Sequence, residues 1–90
     1  MTPAPHVHWT CTDRGGAILN LRTARWTLLD PTAAHMWQRL TDGTDTDTLA
    51  TELATTHHIP HERAGADITQ LLHQADAAHL ITRPRARRPR

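Results

Sequence analysis

The sequence predicts an α+β domain in which a three-stranded antiparallel sheet is followed by three helices packed on one face. Three observations predict it. Short segments in the first thirty residues alternate polar with apolar between clusters of turn residues. After Asp30 the apolar residues recur at helical spacing instead. At 90 residues the chain is too short to cover both sides of a sheet.

Residues 1–5 hold two prolines and no periodicity, and are expected to be disordered. His6-Val7-His8-Trp9-Thr10-Cys11 alternates as a half-buried strand does. Asp13-Arg14-Gly15-Gly16 is a turn cluster, and Ala17–Arg22 with Arg25–Leu29 reads as a hairpin about Thr23-Ala24. Neither turn residue favours positive φ, which leaves room for a longer loop. A two-residue turn would set Leu21 opposite Trp26 and Leu19 opposite Leu28, with Ile18 and Leu29 on the other side.

Asp30 is a good N-cap and Pro31 suits the first helical position; Ala33, Met36, Trp37 and Leu40 follow before Thr41-Asp42-Gly43 ends the helix. Thr44, with Asp47 three residues on, resembles a capping box. It opens a second helix whose apolar face is Leu49, Ala50, Leu53, Ala54 and His57. The third helix runs from about His61 to His79, with Ala64, Ile68, Leu71, Leu72 and Ala75 as its stripe. Gly65 inside it costs roughly 1 kcal/mol relative to alanine. Leu80 and Ile81 can close the core. The domain is thus expected over residues 6–82, followed by a solvated Arg/Pro-rich tail over 83–90.

Composition excludes most enzyme mechanisms. The chain has no Ser, Lys, Tyr or Phe, so its nucleophiles are Cys11 and threonines, and no lysine can form a Schiff base. One cysteine forms no internal disulfide; no leader of a charged stretch followed by an apolar one opens the chain, and no apolar run reaches the ~18 residues of a membrane span. A cytoplasmic protein with no cofactor, no metal and no membrane partner is expected. The net charge of +1 hides an asymmetry, because five of ten arginines fall in the last eight residues. The folded part is acidic and the tail basic.

The hairpin leaves one strand at a sheet edge, and a free edge accepts another extended chain. Peptide binding is therefore expected rather than catalysis.

Four segments carry a further signal: Gly16-Ala17-Ile18-Leu19-Asn20-Leu21-Arg22-Thr23, Leu29-Asp30-Pro31-Thr32-Ala33-Ala34, Met36-Trp37 and Glu62-Arg63-Ala64-Gly65-Ala66-Asp67-Ile68. In order and spacing they resemble the PqqD-like family, the leader-recognition domains of ribosomally made and post-translationally modified peptides. The resemblance spans about residues 7–81. It implies a winged-helix-like fold that binds a precursor's leader as an added strand, beside the third strand, in a groove shared with the third helix. It also implies no chemistry on this chain. Among such proteins the chain most resembles the leader-binding half of a split lasso-peptide B protein. Its partners would then be a precursor leader peptide, a leader peptidase on a separate chain with a Cys-His-Asp site, and an ATP-dependent macrolactam synthetase. The chain departs from the family where Ala24 replaces a frequent glycine and where Pro60-His61 replaces an Asp-Pro helix start.

The candidate groove takes Arg25, Trp26, Thr27, Leu28 and Leu29 from the edge strand, whose outward amides and carbonyls would fix a guest's direction and register. From the third helix it takes Ala64, Asp67, Ile68, Leu71, Gln74 and Ala75. A helical wheel centres the stripe near Ala75 and sets Asp67, Leu71, Gln74 and Ala78 along one flank. Leu71 would floor a pocket for an apolar guest residue and Asp67 would accept a hydrogen bond. The competing reading makes Leu71 core and Asp67 a solvated charge. Trp26 is either a stacking platform or sheet packing, Trp9 and Trp37 read as sheet cover and core, and Arg25 could meet an acidic guest residue.

Three rival readings fit the chain less well. A winged helix-turn-helix DNA binder uses the same elements, but the helix over 46–57 carries Asp47 and Glu52 and no Arg or Lys, so nucleic acid is not expected. His57, His58 and His61 cluster, yet they bridge two helices through a proline and lack a completing ligand set. Cys11, on a strand without an identifiable base, reads as a small apolar residue rather than a hydrolase nucleophile.

Overall fold

The computed structural model describes residues 1–82; the tail expected over 83–90 lies outside the described residues. Elements run β1 (Thr2–Pro3), β2 (Val7–Thr12), β3 (Gly15–Asn20), β4 (Arg25–Leu29), α1 (Pro31–Thr41), α2 (Thr46–His57), α3 (His61–Ala77) and β5 (Ile81–Thr82). The main sheet is antiparallel in the order β2-β3-β4 and is followed by three helices, as the sequence predicts. Helix α1 lies directly on all three strands, while α2 and α3 pack against each other.

Residues 1–5 are a correction. They were expected to be disordered, but β1 pairs antiparallel with β5, Thr2 opposite Thr82 and Pro3 opposite Ile81. The Ala4 amide donates to the Leu80 carbonyl at 3.0 Å, and Ala4 itself is buried. The partner of this segment stands nearly eighty residues away, so no local pattern reveals it.

The hairpin loop is longer than two residues. Asn20 pairs with Arg25, Leu19 with Trp26, Ile18 with Thr27, Ala17 with Leu28 and Gly16 with Leu29, leaving Leu21–Ala24 as the connection. The register therefore slips by two relative to the two-residue turn. A slip of two preserves faces, so Ile18 and Leu29 still share the helix side and Leu19, Trp26 and Leu28 the other. Asn20 stabilises the loop: its Oδ1 accepts from the amides of Arg22 at 2.9 Å and Thr23 at 3.3 Å. Ala24 closes it with φ +60°, a left-handed conformation that costs an alanine about 1 kcal/mol. Ala24→Gly is therefore expected to stabilise the domain by about 0.5 kcal/mol, the relief exceeding the extra chain entropy of glycine; a urea midpoint that falls would contradict this.

Helix α1 begins as read, with Asp30 Oδ1 accepting from the Ala33 amide at 2.7 Å and Pro31 at the first position. The cap of α2 is Asp45 rather than Thr44: its Oδ1 accepts from the Thr48 amide at 2.7 Å and its Oδ2 from the Thr48 hydroxyl at 3.0 Å. Those bonds hold the Asp45 carboxyl below its ordinary pKa. Helix α3 ends at Ala77, two residues short of His79, which takes φ +59° and turns the chain toward β5.

The core joins Val7, Ile18 and Leu29 of the sheet to Ala34, Met36, Trp37 and Leu40 of α1, Leu49 and Leu53 of α2, and Ala64, Ile68, Leu71 and Ala75 of α3. Trp9 meets Trp37 edge to face, with ring centroids 5.7 Å apart. Arg39 binds Glu52 through both carboxylate oxygens, Nε to Oε1 at 3.1 Å and Nη2 to Oε2 at 2.6 Å, clamping α1 to α2. The pairing lowers the Glu52 pKa and raises that of Arg39.

Candidate functional site

Strand β4 pairs with β3 along one edge only; among the described residues no strand occupies the other. Alternate residues of such an edge direct their N–H and C=O groups outward, where only water or another extended chain can satisfy them. Trp26 and Leu28 stand on the face away from the helices at 63% and 81% exposed, joined by Leu21 in the loop. Three large apolar side chains thus lie in water on the hairpin that carries the unpaired edge.

Helix α3 forms the second wall. At the Arg25 end of β4, the paired residue Asn20 donates from Nδ2 to the Ala78 carbonyl at the C-cap of α3. Beyond the Leu29 end, a cavity of about 340 Å³ opens between α3 and the start of α1. Its α3 side is Asp67, Gln70, Leu71 and Gln74; its other side is Asp30 with Thr32, Ala33 and Met36 of the first turns of α1. The end of α3 is thus tied through Asn20 to the start of β4, while the cavity beside the α3 flank opens where β4 runs into α1.

The candidate residues divide by burial. Asp67, Leu71 and Gln74 line the cavity together, with Leu71 nearly covered as its floor. Arg25, Trp26 and Leu28 are exposed, Thr27 is half-buried on the helix side, and Leu29 is buried there. Ala64, Ile68 and Ala75 are corrections: at 0–2% exposed they fill the core and do not line the cavity. They are the centre of the α3 stripe, and the centre of an amphipathic stripe is what the core covers; only its flank is left to the groove. The contribution of α1 was missed. Its signal was the absence of any loop between Leu29 and the cap Asp30, which seats the first helical turn at the end of the edge strand.

Other candidate chemistry disperses. His61 lies 3.6 Å from Asp47, and among the described residues no group of three or more His, Cys, Asp or Glu is placed to hold a metal ion. Burial pushes the Cys11 thiol pKa up, which disfavours the thiolate a nucleophile needs. No helix among the described residues is long and apolar enough to cross a membrane.

A family model described as coenzyme PQQ synthesis protein D (PqqD) matches residues 15–81. No curated protein matches the chain. The fold is similar to that of TbiB1 in complex with the TbiA(beta) leader peptide, with a TM-score of 0.84 at 16% identity over 96% of this chain and 100% of that one. It is also similar to a lasso peptide synthetase B1 complexed with the leader peptide, with a TM-score of 0.83 at 26% identity over 90% of this chain and 95% of that one.

Proposed function

The chain belongs to the PqqD family, and from that premise we propose that it binds the leader segment of a ribosomally made precursor peptide as a fourth strand on β4. It then presents the precursor to separate enzymes of lasso-peptide biosynthesis, a leader peptidase and a macrolactam synthetase, in the cytoplasm. The observation that carries this reading is the unpaired β4 edge, followed directly by the cap and first turns of α1 that line an open cavity with the flank of α3. Both similar structures hold a leader peptide, which supports it.

The division of labour follows from the geometry. Main-chain bonds to β4 give a guest direction and register but no sequence preference. Selectivity comes from alternate guest side chains, one set meeting Trp26 and Leu28 on the open face, the other reaching the Leu71 floor and the polar rim of Asp67, Gln70 and Gln74. The α3 wall also limits what the edge admits. A second copy paired through its own β4 would bring its own α3 into the same space, so the groove suits a lone extended segment.

A winged helix-turn-helix DNA binder is not favoured. Helix α2 would bring Asp47 and Glu52 toward phosphates, and the nearest cation, Arg39, is bound to Glu52.

The direct test titrates fluorescein-labelled synthetic leaders, taken from whatever short precursor frames are found near this gene, against the protein. Affinity between micromolar and nanomolar is expected, roughly −8 to −12 kcal/mol. Asp67→Ala should weaken it by about 1–2 kcal/mol with the melting temperature unchanged, since Asp67 sits at the cavity rim outside the core. Unchanged affinity in that variant would remove the rim from the site.

A further inference from the structure

Two elements wall the groove, and one side chain ties them together at its closed end. Asn20 is 4% exposed and is the one buried polar side chain among the described residues. It is the last residue of β3, opposite the first residue of β4. Its Nδ2 donates to Ala78 at the C-cap of α3 at 3.3 Å, across 58 positions of sequence, while its Oδ1 takes two amides of the loop that leads into β4. The amide is therefore used on both sides. A second tie lies alongside it: the His6 carbonyl accepts from the Leu21 amide at 2.8 Å, and His6 Nε2 donates to the His79 carbonyl at 3.0 Å.

Beyond the other end of β4, the first turns of α1 and the flank of α3 stand apart around the cavity of about 340 Å³. A groove clasped at one end and open at the other has its width set by the clasp. We propose that Asn20 is a positioning residue for peptide capture: through the Ala78 carbonyl it fixes the separation of β4 and α3, and so lets a guest pair with β4 and reach the α3 flank at the same time. The proposal rests on the leader-binding reading above. Asn20 touches no part of the guest, because its side chain is covered by the loop and the end of α3. It acts through the position of the two walls.

Apolar burial alone does not specify this spacing. Side chains between two layers tolerate small slides, whereas a hydrogen bond from the buried Asn20 amide to a carbonyl at the helix end weakens steeply with distance and angle. Leaving the Ala78 carbonyl without its donor also favours outward movement of the α3 end toward water.

Two variants separate the two halves of the amide. Asn20→Ser keeps an oxygen for the loop amides and is too short to reach Ala78. Asn20→Asp keeps the loop acceptor and replaces the donor to Ala78 with an oxygen that repels its carbonyl. Ala50→Gly, in the core face of α2 and outside the cavity lining, serves as a control of comparable destabilisation. The synthetic leader is titrated against all four proteins below their melting transitions, and amide hydrogen exchange is followed in the free proteins.

The expected result is an affinity about ten-fold lower or worse in both Asn20 variants, mostly as faster dissociation, with Ala50→Gly at the wild-type value. Exchange should quicken in the last turn of α3 and in β4 of the Asn20 variants alone. Wild-type affinity in a folded Asn20 variant, or equal losses in Ala50→Gly, overturns the positioning role while leaving leader binding intact. Should both Asn20 variants be unfolded, unchanged exchange at the α3 C-terminus of the wild type on leader binding overturns it, since a clasp that holds the walls must tighten when the groove fills. A wild-type protein that binds no leader removes the reading on which the role rests.

Discussion

A leader peptide N-methylated at alternate backbone positions should bind in one phase and fail in the other. An edge strand exposes hydrogen-bonding groups only at every second residue, so a guest added to β4 uses only every second amide of its own. Methylating the amides that face β4 removes two or three bonds of about 1 kcal/mol each and inserts methyl groups where strands must approach to within about 5 Å. A loss of at least 3 kcal/mol is expected, roughly a hundred-fold or more. Methylating the amides that face solvent leaves the ladder intact and should cost less than ten-fold.

The phase effect distinguishes strand addition from the other mode the surface allows. Trp26, Leu28 and Leu21 could hold an amphipathic helix by apolar contact alone. A helical guest needs nearly all its amides, so both methylation patterns would then abolish binding alike. Fluorescence polarisation with the two peptides decides between the modes, and equal losses would remove β4 as the docking edge.

How far the groove could be read from the chain depends on how local its causes are. The start of α1 was fully legible, because Asp30 and Pro31 act on their own helical turn. The faces of the β3–β4 hairpin were legible although the register was not: the loop is four residues, yet a slip of two leaves every side chain on its side. The long-range pieces were hidden. Pairing of Thr2–Pro3 with Ile81–Thr82, and the bond from Asn20 to Ala78, join segments whose spacing carries no periodic mark. On α3, the wheel located both the stripe and its flank but did not divide them. Ala64, Ile68 and Ala75 went to the core and Asp67, Leu71 and Gln74 to the cavity, because α2 packs on the centre of the stripe and one margin stays open.

The same distinction between covered and open aromatic residues gives the largest expected loss of stability. Trp37 is fully buried on α1, the helix that lies on all three strands, and its ring meets Trp9 of β2 edge to face at 82°. Trp37→Ala should cost about 3–5 kcal/mol for the lost burial and the cavity left behind, including about 1 kcal/mol from the ring pair. A domain of this size has about 5–10 kcal/mol in all. The variant is therefore expected to melt at least about 12 °C lower, by about 4–8 °C per kcal/mol, in thermal denaturation followed by far-ultraviolet circular dichroism. Trp37→Phe should lose less than its volume suggests. The indole Nε1 is buried without a hydrogen-bond partner among the described residues, so the smaller ring also removes an unsatisfied donor. Trp26→Ala is the contrast. Its ring is mostly in water, so the melting temperature should move by no more than a few degrees, while leader affinity falls by about 1–2 kcal/mol as the open-face contact is lost. If Trp26→Ala instead melts early and binds normally, the exposed face of the hairpin belongs to the fold, and the apolar contacts of the guest must lie on the α3 side alone.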